Sequence, residues 1–144
     1  MAFKLNALVV DDDTHVRSFL AVLMRKVVAG RILEASNGQE AIDIYREQRP
    51  EVVLLDVNMP ITDGLEALRK IREIDPEAVV IMLTSLAMRR VVEDALELGA
   101  ANFIRKDTPR PQMIEIIEET LLDTFGETAR KPSTGTTPAD VPQS

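Results

Sequence analysis

Apolar and polar positions alternate along this chain on two scales. Short apolar runs occur at Leu5–Val10, Arg31–Ala35, Val52–Leu55, Val79–Leu83 and Asn102–Arg105. Three of them are nearly continuous in Val, Ile and Leu, as expected of strands covered on both faces rather than strands with one wet face. The longer segments between them carry apolar residues at helical spacing. Val16, Phe19, Leu20 and Leu23 share one face of the first, and Ala41, Ile44 and Tyr45 one face of the second. Leu65, Leu68 and Ile71 mark the third, Val91, Val92, Ala95 and Leu98 the fourth, and Ile114, Ile117 and Leu121 the last. Asn37-Gly38, Asp63-Gly64, Asp75-Pro76 and Gly99 punctuate the boundaries, Gly99 where a helix is expected to stop. Strand–helix alternation repeated five times predicts parallel βαβ units, hence an α/β fold with helices on both faces of one sheet. From Gly126 the pattern ends. Lys131-Pro132-Ser133-Thr134-Gly135-Thr136-Thr137-Pro138 contains nothing to bury. The expected division is therefore a domain over 1–125 and a disordered tail or linker over 126–144.

Composition narrows the function classes. A chain of 144 residues, 45% hydrophobic and 28% charged, is long enough for one domain with a real core. No apolar stretch approaches the roughly 20 residues of a membrane-crossing helix, and the N-terminus has no signal-peptide h-region, so no membrane insertion is expected and the cytoplasm is the expected compartment. The absence of cysteine excludes disulfides, thiolate metal sites and cysteine nucleophiles. A net charge of −7 argues against direct binding of nucleic acid, a polyanion it would repel. The tail charges Glu127, Arg130, Lys131 and Asp140 cancel, so the acidity belongs to the folded part.

The candidate chemistry lies where the apolar runs stop, because open α/β sheets bind ligands at the carboxyl ends of their strands. Asp11-Asp12-Asp13 follow the first run, Asp56 the third, Thr84-Ser85 the fourth and Lys106 the fifth, whereas the second ends in Ala35-Ser36 with no charged group. If the first and third strands are neighbours, their acids meet. Carboxylates held that close must share a proton or bind a cation. An oxygen-only donor set favours a hard ion such as Mg²⁺. The lysine and the threonine hydroxyl are donors that suit the remaining oxygens of an anion held by such a metal, and a phosphoryl group offers one oxygen to each. Asp56 as the attacking carboxylate would form an acyl phosphate.

Val9-Val10-Asp11-Asp12, Leu54-Leu55-Asp56-Val57-Asn58-Met59-Pro60, Asp63-Gly64, Thr84-Ser85, Gly99-Ala100 and Phe103-Ile104-Arg105-Lys106 resemble, in order and spacing, the response-regulator receiver domains of two-component signalling, including those of chemotaxis. The resemblance covers roughly the first 125 residues. It implies a doubly wound, flavodoxin-like parallel sheet of order 2-1-3-4-5 with five helices. It also implies a switch rather than an enzyme, catalysing only its own phosphorylation and dephosphorylation. Asp56 would be the phosphoacceptor. Asp12 and Asp56 would bind Mg²⁺, with Asp11 holding metal-bound water and the Asn58 backbone carbonyl completing the set. Lys106 would pair with the phosphoryl group, and Thr84 and Phe103 would move on phosphorylation, changing the face made by the fourth helix, fifth strand and fifth helix. The implied partners are a histidine kinase or phosphotransfer protein and a downstream protein, and dimerisation driven by phosphorylation is left open.

Two residues depart from the family pattern. Asp107 follows Lys106 where proline with a cis bond is usual, and a cis bond before a non-proline residue costs about 3 kcal/mol, so the isomer of the Lys106–Asp107 bond is open. Phe103 replaces the more frequent tyrosine.

Plainer readings compete at several positions. Asp11–Asp13 can cap the first helix, which accounts for one or two acids but not for Asp56. His15 and the Arg89-Arg90 pair are expected at the surface, and Met59, Met82, Met88 and Met113 in the core or at its edges. An aspartate-based phosphatase of the haloacid dehalogenase type would instead use the acid after its first strand, which Asp11-Asp12-Asp13-Thr14 loosely allows. A degenerate receiver that binds partners without phosphorylation is the third reading.

Overall fold

The computed structural model describes residues 2–59, 63–85 and 89–126. Strands and helices alternate as β1 (Ala7–Val10), α1 (Thr14–Arg25), β2 (Ile32–Ala35), α2 (Gly38–Gln48), β3 (Val52–Asp56), α3 (Gly64–Ile74), β4 (Val79–Thr84), α4 (Arg89–Glu97), β5 (Asn102–Arg105) and α5 (Arg110–Phe125). The sheet is parallel throughout, in the order β2-β1-β3-β4-β5. This is the doubly wound, flavodoxin-like architecture expected from the sequence, with strand order reversing between β1 and β3.

Every residue of β1, β3 and β4 is buried, whereas β2 and β5 at the edges are only partly so. Alternate residues of the inner strands serve two cores. Val9, Leu54 and Ile81 pack with Leu20, Leu23 and Met24 of α1 and with Ile117 and Leu121 of α5. Leu8, Leu55 and Met82 pack on the other side with Ile42 and Tyr45 of α2 and Leu68 and Ile71 of α3. Covering both faces explains why these strands read as unbroken apolar runs. Side-chain caps begin the first three helices. Asp13 accepts from His15 and Val16, Asn37 from Glu40, and Asp63 from Glu66.

Details of the expected pattern change. β1 starts at Ala7 rather than Leu5, because the Asn6 carbonyl accepts from Glu51 and Val52 and its side chain from Arg31, a turn-like arrangement in place of a ladder. Phe19 does not join the core face of α1: it is 41% exposed. Leu20, Leu23 and Met24 form that face, and Phe19 falls on its flank at about 100° per residue. On α4 only Ala95 is buried, with Val91 and Val92 half-buried, as is Leu98 just past its end. Met82 and Met113 are in the core and Met59 at its edge. Met88 lies outside the described residues, as do Pro60 and the tail expectation over 127–144.

One packing contact ties the fold to the loop after β3. Gly64, the first residue of α3, donates its N–H to the Val57 carbonyl at 2.8 Å. A Cβ there would stand 2.1 Å from the Asp56 carbonyl oxygen and 2.6 Å from Val57 Cα. Both neighbours are backbone and cannot turn aside. Gly64→Ala is expected to lower stability by about 1–3 kcal/mol in urea denaturation, the range for overpacking, whereas Val22→Ala, at a site 48% exposed, should stay within about 0.5 kcal/mol of the parent.

Candidate functional site

The ladders carry the polar strand ends to one edge. β1 ends beside β3, and the Asp11 N–H continues its pairing with β2 by donating to the Ala35 carbonyl at 3.2 Å. Asp11 is completely buried, whereas Asp12 is exposed. Asp56 is the last residue of β3, 3% exposed and in register with Leu83 of β4. Thr84 ends β4 and is buried. Its carbonyl accepts the Lys106 N–H at 2.7 Å, extending the β4–β5 ladder by one residue. Lys106 is thereby fixed at its backbone before its side chain turns inward.

Carboxylate oxygens of Asp11, Asp12 and Asp56 all lie within 4.8 Å of one another. The Lys106 ammonium reaches two of these residues, 2.7 Å from Asp11 Oδ2 and 3.1 Å from Asp56 Oδ1. The Asn58 N–H also donates to Asp56 Oδ1, at 3.3 Å. Asp11 Oδ1 accepts from the Asp13 N–H at 2.9 Å, while buried Oδ2 has the ammonium close by but no well-directed hydrogen bond. Asp13 stands apart from this group. Its carboxylate caps α1, and hydrogen bonds from the Val16 and His15 backbone hold its pKa below the usual carboxylate value. The three consecutive acids thus divide between capping and the site.

Burial pushes the Asp56 pKa up to about 6, and the Asp11 charge adds to the rise, while Lys106 and the Asn58 N–H oppose it. Burial works against the charged form of Lys106 as well, but its contacts with Asp11 and Asp56 raise its pKa on balance. Three carboxylates against one ammonium leave the ionised cluster with a formal surplus of two negative charges.

The receiver-domain model of response regulators matches residues 7–118. The chain belongs to the response regulator receiver domain family. Chemotaxis protein CheY of Bacillus subtilis is 35% identical over 114 residues, which cover 79% of this chain and 95% of that protein. Protein CcdB of the same organism is 37% identical over 117 residues, covering 79% and 95%. Among solved structures, a chain of the CheX–CheY–BeF3–Mg²⁺ complex from Borrelia burgdorferi superposes with a TM-score of 0.75 at 31% identity, covering 83% of this chain and 88% of that one. The CheY-like receiver domain protein of Methanospirillum hungatei JF-1 gives 0.77 at 25% identity, covering 85% and 97%. Receiver domains are signalling domains rather than conventional enzymes, and no described helix is long and apolar enough to cross a membrane.

In this receiver domain the peptide bond between Lys106 and Asp107 is trans, as are all described peptide bonds. The lysine still meets both acids. Asp107 turns away, held by Arg105 at 2.9 and 3.1 Å. Phe103 pairs in register with Met82 and is half-buried on the α2–α3–α4 side. His15 is fully exposed, and Arg89 is exposed and paired with Glu93. Two residues that the sequence patterns did not single out support the acid loop, Arg17 by touching it and Glu34 by holding Arg17. Arg17 donates from Nη1 to the Asp11 carbonyl at 2.8 Å and from Nε to Glu34 Oε1 at 3.2 Å. A charged residue inside an otherwise apolar strand, as Glu34 is, was the available signal.

The raised Asp56 pKa has a direct consequence for stability. Its carboxyl holds a proton more tightly folded than unfolded, so its contribution to stability falls as pH rises from the ordinary aspartate value of 3.8 through about 6. Two pK units correspond to about 3 kcal/mol as an upper bound. In EDTA at pH 7.5, Asp56→Asn should therefore raise the free energy of unfolding by about 1–3 kcal/mol. The gain should vanish below about pH 3, where the carboxyl is protonated in the folded and unfolded states alike. Equal stability of the two proteins at pH 7.5 would show that the charge is already compensated.

Proposed function

We propose that this receiver domain accepts a phosphoryl group on Asp56 from a histidine kinase or phosphotransfer protein, and that the modification changes which downstream protein it binds. The observation that carries this reading is a buried Asp56 carboxylate with Lys106 Nζ at 3.1 Å and carboxylate oxygens of two further acids within 4.8 Å. A sheet edge that concentrates charge in this way is costly unless the charge is used.

Asp11, Asp12, Asp56 and the Asn58 backbone carbonyl are the groups we assign to Mg²⁺, with Asp11 acting through a metal-bound water. The all-oxygen donor set, its surplus negative charge and the poorly satisfied buried Asp11 Oδ2 fit a hard divalent cation. When bound, Mg²⁺ would neutralise charge developing on the transferred group. The chain's own residues do the rest. Both described contacts of Asp56 fall on Oδ1, which leaves Oδ2 to attack phosphorus. A phosphorus–oxygen bond forms as the donor's phosphorus–nitrogen bond breaks, and the leaving imidazole keeps the bonding pair and takes up a proton. The product is an acyl phosphate. A pKa near 6 leaves Asp56 mostly ionised, and so nucleophilic, at neutral pH. Lys106 would pair with the incoming phosphoryl oxygens. Thr84, next in the strand to the residue paired with Asp56, would turn its hydroxyl to the phosphoryl group, and Phe103 would follow, altering the face formed by α4, β5 and α5.

The domain on this reading runs to Phe125, where α5 ends, with 126–144 as a tail or linker. Its partners are proteins, including a second phosphorylated copy where dimerisation follows, and neither nucleic acid nor membrane is bound directly. The cytoplasm is the compartment that suits such partners. The Borrelia burgdorferi complex pairs a CheY with BeF3, Mg²⁺ and CheX, which supports the same chemistry and a protein partner here. The phosphatase reading needs Asp11 as nucleophile, but Asp11 is completely buried, with Oδ1 bonded to Asp13 and Oδ2 facing Lys106.

Incubation with acetyl phosphate and Mg²⁺ followed by mass spectrometry should find one phosphoryl group, on Asp56, absent from Asp56→Asn and abolished by EDTA. Label on Asp11 would instead identify the phosphatase chemistry, and no label would identify a receiver that works unphosphorylated. Thr84→Ala should still take up label but gain less affinity for its partner on phosphorylation. A normal gain in that variant would rule out the threonine as a switch.

A further inference from the structure

The geometry points to Arg17 as a positioning residue for the acid loop, anchored by Glu34 of β2, which sets the Asp11–Asp12 peptide so that Asp12 can serve the cation site. This inference rests on the Mg²⁺ reading of the cluster.

Asp11 is restrained at three points. Its N–H donates to the Ala35 carbonyl at 3.2 Å, its carboxylate Oδ1 accepts from Asp13 at 2.9 Å, and its carbonyl accepts from Arg17 Nη1 at 2.8 Å. The carbonyl contact matters for its neighbour. The Asp11 carbonyl lies in the same rigid peptide plane as the Asp12 N–H, so its direction fixes where the Asp12 Cα, and hence its carboxylate, begins. Asp12 is the exposed member of the three acids and lacks the burial that locks Asp11 and Asp56. Among the described contacts, the plane of its preceding peptide is what limits its range.

Arg17 suits this task chemically. Its guanidinium is planar and presents donors at fixed angles, so Nε on Glu34 Oε1 at 3.2 Å sets the direction of Nη1. The Arg17 side chain is 17% exposed and that of Glu34 42%, so the arginine is the packed partner and the glutamate the tether. The pair joins α1, which follows β1 in the chain, to β2, which pairs with β1 in the sheet. β2 ends without a polar group in the site, yet through Glu34 it orients a residue that touches the site backbone.

Charge and positioning predict opposite signs, which makes the inference testable. If Arg17 acted only through its positive charge, removing it would tighten Mg²⁺ binding to the acids. If it acts by position, removing it loosens binding. Mg²⁺ affinity can be read at fixed temperature, without phosphorylation, from the amide chemical shifts of Asp12 and Asn58 during an NMR titration. Arg17→Met, which keeps the apolar stem and loses the donors, should weaken Mg²⁺ binding about 10-fold, the scale seen when groups that orient metal ligands are removed. Arg17→Lys, which keeps the charge but loses the fork, should weaken it to a similar degree. Glu34→Gln, which keeps an acceptor oxygen at the same place, should have the smaller effect. Mg²⁺ affinity in Arg17→Met and Arg17→Lys that equals or exceeds the parent's would overturn the inference, even if a lower urea midpoint showed that Arg17 supports the fold. Absence of any Mg²⁺ response in the parent protein would overturn the metal-site reading itself, and this inference with it.

Discussion

The contact between one ammonium and two buried carboxylates governs this molecule. Lys106 Nζ lies 2.7 Å from Asp11 Oδ2 and 3.1 Å from Asp56 Oδ1, where little water reaches. Removing charges from water is expensive, and like charges placed together add to the cost. The ammonium offsets part of it. What remains is visible in the Asp56 pKa of about 6, which burial and Asp11 hold up against the pull of Lys106. A site under such electrostatic tension is suited to a cation, which would neutralise part of its surplus charge.

The sheet is what makes that tension sustainable. β1, β3 and β4 are buried on both faces, so their backbones cannot shift without disturbing two cores at once. Asp56 inherits its place from the register with β4, and Lys106 from its hydrogen bond to the Thr84 carbonyl. The start of α3 presses on the same region, since Gly64 meets the Asp56 carbonyl with no space for a side chain. Stability bound up in apolar packing holds a polar edge that would not hold itself together, a familiar division between scaffold and site in α/β proteins.

The residue after Lys106 illustrates how such a site tolerates change. Where relatives of this pattern commonly carry proline, Asp107 occupies the position and is drawn outward to Arg105. The loop keeps a trans bond and the lysine still arrives between the acids, because the β4–β5 ladder fixes its backbone one residue earlier. The position of the ammonium depends on strand pairing more than on the chemistry of the turn that follows.

Much of this was legible in the order of residues alone. Unbroken Val/Ile/Leu runs identified inner strands, their alternation with helical spacing implied a parallel sheet, and the polar residues at run ends named Asp11, Asp12, Asp56, Thr84 and Lys106 as companions. These are local properties of periodicity and composition, which a sequence carries directly. Other features depended on which segments become neighbours. Phe19 has the spacing of a core residue, yet the orientation of α1 leaves it on the flank of the buried face. Asp11, Asp12 and Asp13 are alike in the sequence, and only the turn into α1 decides that Asp13 caps the helix while Asp11 sinks into the site. Arg17 and Glu34 lie seventeen residues apart and meet because β2 pairs beside β1. Sequence periodicity reports how each element faces its surroundings. Which partner it finds there is a non-local outcome of packing, and it is decided by the tertiary structure.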